Sequence, residues 1–210
     1  KHGIPYKGDI MSGKTHLAMG VASALVIIRP MTLSDLIVCT GAAIIGSLIC
    51  DIDIKTSNSR SAFNTILGII VILSIIEGYI NYRFNFSIMT MILEESNMYR
   101  LLSGIAVFIV TCIVCKEFPH RTFTHSALGV LLFSLIVFYI FPDMMMPFAV
   151  AMVSHIVLDM MNKKAVLVWY PLKRGASLGV CTASGKVNNI LCIAGTFICV
   201  GYFYFYLIKK

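Results

Sequence analysis

Apolar stretches separated by short polar segments constrain this chain more than any other feature of its sequence. A transmembrane helix needs about 20 apolar residues, and backbone inside a bilayer must satisfy its own hydrogen bonds. The pattern therefore predicts an all-α fold, a polytopic transmembrane helical bundle with about six or seven spans. The stretches fall at about 17–28, 32–50, 64–80, 101–115, 126–141, 144–161 and 188–208.

Composition supports a membrane protein. Of the 210 residues, 58% are hydrophobic and 13% are charged, and the mean hydropathy is +0.87. Soluble domains average roughly 45–50% apolar and about 25% charged residues. The net charge of +7 is not gathered into one basic run, so we interpret it as topogenic charge and expect no direct nucleic-acid binding.

The polar segment "KHGIPYKGDI" precedes Met11. We interpret residues 1–10 as a vector-derived, non-native segment and exclude His2 from functional reasoning. Residues 11–210 are then expected to form a single membrane-embedded helical domain.

Lysine and arginine are distributed unequally between the two predicted faces of the membrane. One face would carry 12 of them and the other 5. By the positive-inside tendency, we expect the richer face to be the cytoplasmic side of a bacterial inner membrane. That face would hold the N-terminus, 51–63, 116–125 and 162–187.

The histidines and several aspartates lie at the ends of predicted spans, and all of these ends are on that same face. His2 apart, every histidine of the chain belongs to this set. Ionisable groups at membrane depth cost about 2.5–3.5 kcal/mol each and are functional candidates by default. The set consists of His16, Asp51, Asp53, His120, His125, His155 and Asp159.

The carboxylates have both a metal-binding and a structural interpretation. His155 and Asp159 are four residues apart, so they share a helix face, as in metal-chelating helices. A hydrogen-bonded His–Asp pair inside a bundle is an equally good interpretation. Asp51 and Asp53 could bind metal, orient a histidine, or simply cap a helix end.

The segment "HRTFTHS" places two histidines around an arginine. His120 and His125 are five apart and would not share a helix face, so a turn before the next span is predicted, with Thr124 or Ser126 as its cap. Arg121 could grip a phosphate oxygen and stabilise transition-state charge. A topogenic or headgroup-contacting arginine is the alternative.

The mixture of imidazole and carboxylate groups suits zinc, with manganese as the alternative. Seven ligands are too many for one four-coordinate ion, so two or three divalent ions are expected. Paired ions about 3.5–4 Å apart clamp the two oxygens of a phosphoryl displacement. Asp51 or Asp53 would accept the proton of the attacking water, and Lys173, Arg174 and Arg60 are weaker phosphate-binding candidates.

The segments "MSGKTH", "DID", "HRTFTHS" and "SHIVLDMMN…YP" resemble, in this order, the YdjM-like family of bacterial inner-membrane proteins. That family is described as metal-dependent hydrolases and as LexA-binding. The resemblance covers Met11 to about Gly175, and H-R-x-x-T-H-S is its most specific part. The family is distantly similar to zinc-dependent phospholipase C enzymes, which implies the seven histidines and aspartates as the metal ligands.

Together these features predict a membrane-embedded hydrolase that cleaves a phosphoester of a phospholipid or other lipid phosphate near the cytoplasmic face. A metal-ion or proton transporter is one alternative, because such residues also mark ion pathways. A non-enzymatic regulator that docks a soluble protein partner, such as a transcriptional repressor, is another. A zinc peptidase is disfavoured because the sequence lacks H-E-x-x-H.

Overall fold

The computed structural model describes residues 12–53, 79, 82–83, 98–180 and 186–208. Its regular structure there is helical, and an isolated antiparallel bridge joins Val166 and Ala176. A 3-10 turn, Cys50–Asp53, follows the second helix directly. The all-α prediction is confirmed for this part of the chain. The helices are α1 Gly13–Ile28, α2 Leu33–Ile49, α3 Met98–Cys115, α4 Ala127–Ile140, α5 Pro142–Met160 and α6 Lys186–Ile208.

Three described segments are long and apolar enough to cross a membrane: Leu33–Ile52, Pro142–Met160 and Lys186–Ile208. Helices α1, α3 and α4 are apolar but shorter. Six of the predicted apolar stretches coincide with helices, while 64–80 lies outside the described residues except for Tyr79. A membrane-type helical protein is supported, and a count of six or seven spans stays a prediction.

Polar residues at the helix starts explain where these helices begin. The Ser12 side chain accepts a hydrogen bond in the first turn of α1, and Thr32 and Asp35 form a reciprocal capping box on α2. Ser126 caps α4, which confirms the predicted turn and cap after "HRTFTH". Pro142 occupies the first position of α5, where a missing N–H costs nothing.

Small residues allow the central helices to approach closely. Helices α1, α2 and α5 pack against one another, α6 covers α1, α4 packs on α5, and α3 packs on α4. Ala24, Ala43 and Ala151 are fully buried in this core. A Cβ atom on Gly46 of α2 would collide with the backbone carbonyl of Phe148 in α5. Such contacts are typical of helix packing in membranes.

The outer surface of the bundle is apolar. The spanning window of α6 is only 6% buried, and Phe197 and Leu207 on this helix are 72% and 71% exposed. Large contiguous apolar surfaces are rare on monomeric soluble proteins and mark membrane or protein contacts. The exposed face of α6 therefore fits contact with lipid.

The cap of α4 provides a first test of the fold. Ser126 Oγ accepts from the Gly129 N–H at 3.1 Å, so Ser126→Ala is expected to lower the free energy of unfolding by about 1 kcal/mol. Thr196→Ala is the matched control, because Thr196 is exposed and its hydroxyl only donates to the Cys192 carbonyl within α6. Denaturant titration in detergent measures both. Equal stability of the two variants would contradict the cap.

Candidate metal centre

Residues from four distant parts of the chain meet at one end of the bundle. They come from the first turn of α1, the 3-10 turn after α2, the loop before α4 and the last two turns of α5. They form three overlapping groups, each with its potential ligand atoms within 4.8 Å of one another. The groups are His16–His155–Asp159, Asp51–His125–His155 and His120–His125–Asp159.

Six of the seven predicted ligands are therefore brought together. The seventh, Asp53, ends the 3-10 turn, and its side chain lies outside what the structure describes. The convergence of separate helix ends at one place, which the sequence predicted, is present in the structure. Geometry shows that these residues could hold a metal ion; that they do so stays a prediction.

Asp159 lies at the middle of this six-residue cluster. Its Oδ1 is 3.5 Å from His16 Nε2, and its Oδ2 is 3.3 Å from His125 Nε2. The side chain of Asp159 is only 1% exposed. One carboxylate thus faces imidazoles that arrive from two different directions.

Asp51 forms the more open side of the cluster. Its Oδ1 is 3.4 Å from His155 Nε2 and 3.9 Å from His125 Nε2. The Asp51 side chain is 27% exposed, whereas both histidines are completely buried. His16 stacks on His155 with ring centroids 3.8 Å apart. Asp51 is thus the more solvent-accessible of the two carboxylates in the described cluster.

The spacing of the polar atoms is compatible with a bound metal ion. Nε2 of His125, Nε2 of His155 and Oδ2 of Asp159 are buried and make no hydrogen bond within the described residues. Zinc ligands at 2.0–2.1 Å in a tetrahedron lie about 3.3–3.4 Å from one another. The observed His–Asp separations begin at 3.3 and 3.4 Å. The residues therefore fit a divalent ion.

Hydrogen bonds behind the cluster orient two of its histidines. His155 Nδ1 lies 2.8 Å from the Ser47 carbonyl oxygen; because a carbonyl only accepts, Nδ1 carries the proton and Nε2 is left for a metal. His125 Nδ1 lies 3.0 Å from Thr124 Oγ1. Burial lowers the pKa of His125 below its usual value, which keeps this imidazole neutral and able to bind at neutral pH.

Arg121 is turned into the protein. It is 4% exposed, and its backbone takes the left-handed conformation with φ of 67°. One Nη donates to Asp159 Oδ1 at 3.2 Å, and the other donates to the Lys164 carbonyl at 3.0 Å. Arg121 thus holds the central carboxylate in place.

Sequence reasoning missed two residues that support the cluster. Asn162 Nδ2 donates to Asp159 Oδ1 at 3.1 Å, and Ser47 supplies the carbonyl that orients His155. For Asn162 the signal is spacing, because it follows Asp159 by three positions and so lies on the same side of a helical turn. Ser47 acts through its backbone carbonyl, so no side-chain pattern indicates it.

The weaker basic candidates are not among the clustered residues. Lys173 and Arg174 are exposed in the connection between α5 and α6. Arg60 lies outside the described residues. A contact of any of the three with phosphate stays a prediction.

Apolar helices and a buried cluster of histidines and aspartates define the class of this protein: a helical membrane protein with a candidate metal centre. The chain belongs to the YdjM inner membrane protein family, whose sequence model matches residues 11–210. This confirms the resemblance seen in its motifs. No curated protein and no solved structure matches the chain.

Proposed function

We propose that this protein is a membrane-embedded, metal-dependent hydrolase that cleaves a phosphoester of a phospholipid or another lipid phosphate. One observation carries the proposal. Imidazole and carboxylate atoms from four parts of the chain converge at one buried end of an apolar bundle at ligand-like spacing.

The donor set suits a borderline metal such as zinc, with manganese as the alternative. A bound divalent ion would polarise a phosphoryl oxygen and lower the pKa of bound water toward neutrality. The residues that would hold it are His16, Asp51, His120, His125, His155 and Asp159.

The protein's own groups would divide the remaining work. Asp51 is the more exposed carboxylate, so it is placed to accept a proton from the attacking water. Asp159 stays buried and held by Arg121 and Asn162. The Arg121 guanidinium adds fixed positive charge beside the place where phosphoryl charge would build up.

The position of the cluster along the helices supports a lipid substrate. His16 is in the first turn of α1, Asp51 follows α2 directly, and Asp159 is in the last turn of α5. Ends of apolar helices in a bilayer lie at headgroup depth, where lipid phosphates are. Trp169, 63% exposed in the connection after α5, is a residue type enriched at that depth.

The same position argues against a transporter. Transporters typically bind ions near the bilayer midplane on broken helices, whereas these ligands lie at helix ends. A regulator that docks a soluble partner would tolerate alanine at His155 and Asp159, whereas a metal-dependent hydrolase would not, so these substitutions distinguish the two. The surplus of lysine and arginine near the cluster favours the cytoplasmic face.

Hydrolysis by the purified full-length chain tests this function. In mixed micelles of phosphatidic acid or phosphatidylglycerol, with zinc or manganese, we expect release of phosphate or of a phosphorylated headgroup, and none with EDTA. Asp51→Asn is expected to lower the rate at least about 100-fold, since a general base contributes about 10²–10⁴. Thr196→Ala, exposed on α6, should keep the wild-type rate.

Two results would contradict parts of this proposal. If neither lipid releases phosphate or a phosphorylated headgroup in a metal-dependent way, the proposed lipid phosphohydrolase is rejected. Metal uptake into proteoliposomes would then favour a transporter. A full rate in Asp51→Asn, together with metal-dependent release in the wild type, would reject Asp51 as the proton acceptor.

A further inference from the structure

We propose that the cluster holds two ions that share Asp159, one bound by His16 and His155 and the other by His120 and His125. The inference rests on the metal binding contained in the proposed function. It goes further because it states the number of ions and divides the ligands between them.

The three potential metal groups cannot all be filled at once. His155 belongs to the first and second groups, His125 to the second and third, and Asp159 to the first and third. A side-chain nitrogen or oxygen atom that has one lone pair available for a metal can bind only one ion. The number of ions therefore depends on which of these three shared residues has two atoms to offer.

Neither shared histidine has two nitrogens available. His155 Nδ1 donates to the Ser47 carbonyl at 2.8 Å, which leaves Nε2 alone. His125 Nδ1 is engaged with Thr124 Oγ1 at 3.0 Å, which again leaves Nε2 alone. An ion in the group Asp51–His125–His155 would take both of these nitrogens and exclude an ion from either of the other groups.

Asp159 is the shared residue that can bind two ions. Its two oxygens face different histidines: Oδ1, which also accepts hydrogen bonds from Arg121 and Asn162, is 3.5 Å from His16 Nε2, and Oδ2 is 3.3 Å from His125 Nε2. A carboxylate can give one oxygen to each of two ions. The first and third groups can therefore be filled together, and this choice uses all four histidines.

Asp51 lies between the two halves of the cluster. Its Oδ1 is 3.4 Å from His155 Nε2, in the first half, and 3.9 Å from His125 Nε2, in the second. Each half then has two imidazoles and one oxygen of Asp159, and the single Oδ1 atom of Asp51 lies beside both halves. A paired arrangement of this kind suits phosphoryl displacement, where both the attacking and the leaving oxygen carry charge.

A single ion in the group Asp51–His125–His155 is the competing arrangement. It would leave without a metal the imidazole of His16, which is 2% exposed and whose Nε2 lies 3.5 Å from Asp159 Oδ1. The buried position of His16 beside Asp159 favours the two-ion arrangement.

Metal content and magnetic coupling of the manganese-loaded, full-length chain distinguish these arrangements. We expect two manganese ions per chain and an exchange-coupled electron paramagnetic resonance spectrum from the shared carboxylate. His16→Gln and His120→Gln should each retain one ion with an uncoupled, six-line spectrum. Thr196→Ala is the matched control and should retain the coupled pair.

One ion per wild-type chain, or two uncoupled ions, would overturn the inference, and so would full metal content in His16→Gln. The wild-type measurement needs no substitution, so it decides even where a variant misfolds. A coupled pair without lipid hydrolysis would support this inference and reject the proposed function. One ion per chain together with lipid hydrolysis would support the proposed function and reject this inference. A chain that binds no metal at all would reject both.

Discussion

Asp159→Asn is expected to abolish both metal binding and lipid phosphate release. Asparagine keeps the size of the side chain but removes the charge that two imidazoles and the Arg121 guanidinium face. Loss of an outer partner of a metal ligand costs about 10–100-fold in affinity, so loss of a shared ligand should exceed that. Metal analysis after dialysis and the lipid phosphate assay measure the two effects.

Asp143→Asn is the matched control for this substitution. Asp143 lies on the same helix, in the first turn of α5, where it is exposed at the opposite end from the cluster. Metal content and hydrolysis should remain at wild-type levels. Wild-type metal content in Asp159→Asn would show that this carboxylate is a structural partner of Arg121 and not a ligand.

Gly46→Ala is expected to destabilise the core strongly. The new Cβ would meet the backbone carbonyl of Phe148, and backbone cannot move aside as a flexible side chain can. Overpacking of this kind costs about 1–3 kcal/mol or more. Thermal unfolding in detergent measures the loss. Metal affinity should fall as well, because the adjacent Ser47 carbonyl orients His155.

Gly41→Ala provides the control on the same helix. Nothing lies within 4 Å of a Cβ at Gly41, and alanine is favoured over glycine in a helix by about 0.8–1 kcal/mol. We therefore expect unchanged or slightly higher stability. Equal stability of the two variants would show that α2 and α5 are less closely packed than the structure has them.

Charge balance gives a physical reason why such a cluster would attract cations. Asp51 and Asp159 bring two negative charges, and Arg121 brings one positive charge. With neutral imidazoles the group is left with a net negative charge at a largely buried place, and uncompensated charge there is costly. Bound divalent ions would remove that cost. Protonated histidines would also supply positive charge, but Nε2 of His125 and Nε2 of His155 form no hydrogen bond within the described residues.

The amino-acid sequence was sufficient for the features that depend on nearby residues. Hydropathy placed the ends of α1, α3 and α6 at Ile28, Cys115 and Ile208, because an apolar helix ends where polar residues resume. Capping chemistry narrowed the cap of α4 to Thr124 or Ser126, and Ser126 is the residue that caps it. The i,i+4 spacing of His155 and Asp159 indicated a shared face, because helix geometry relates residues only a few positions apart.

The tertiary structure alone decided how those residues are combined. The hydrogen bond that orients His155 comes from Ser47, 108 positions earlier, and Arg121 turns inward because Asp159 and the Lys164 carbonyl receive it. No local pattern encodes such contacts. They arise when small residues let α1, α2 and α5 pack closely, and that packing decides which nitrogen of each histidine is free and which carboxylate two ions could share.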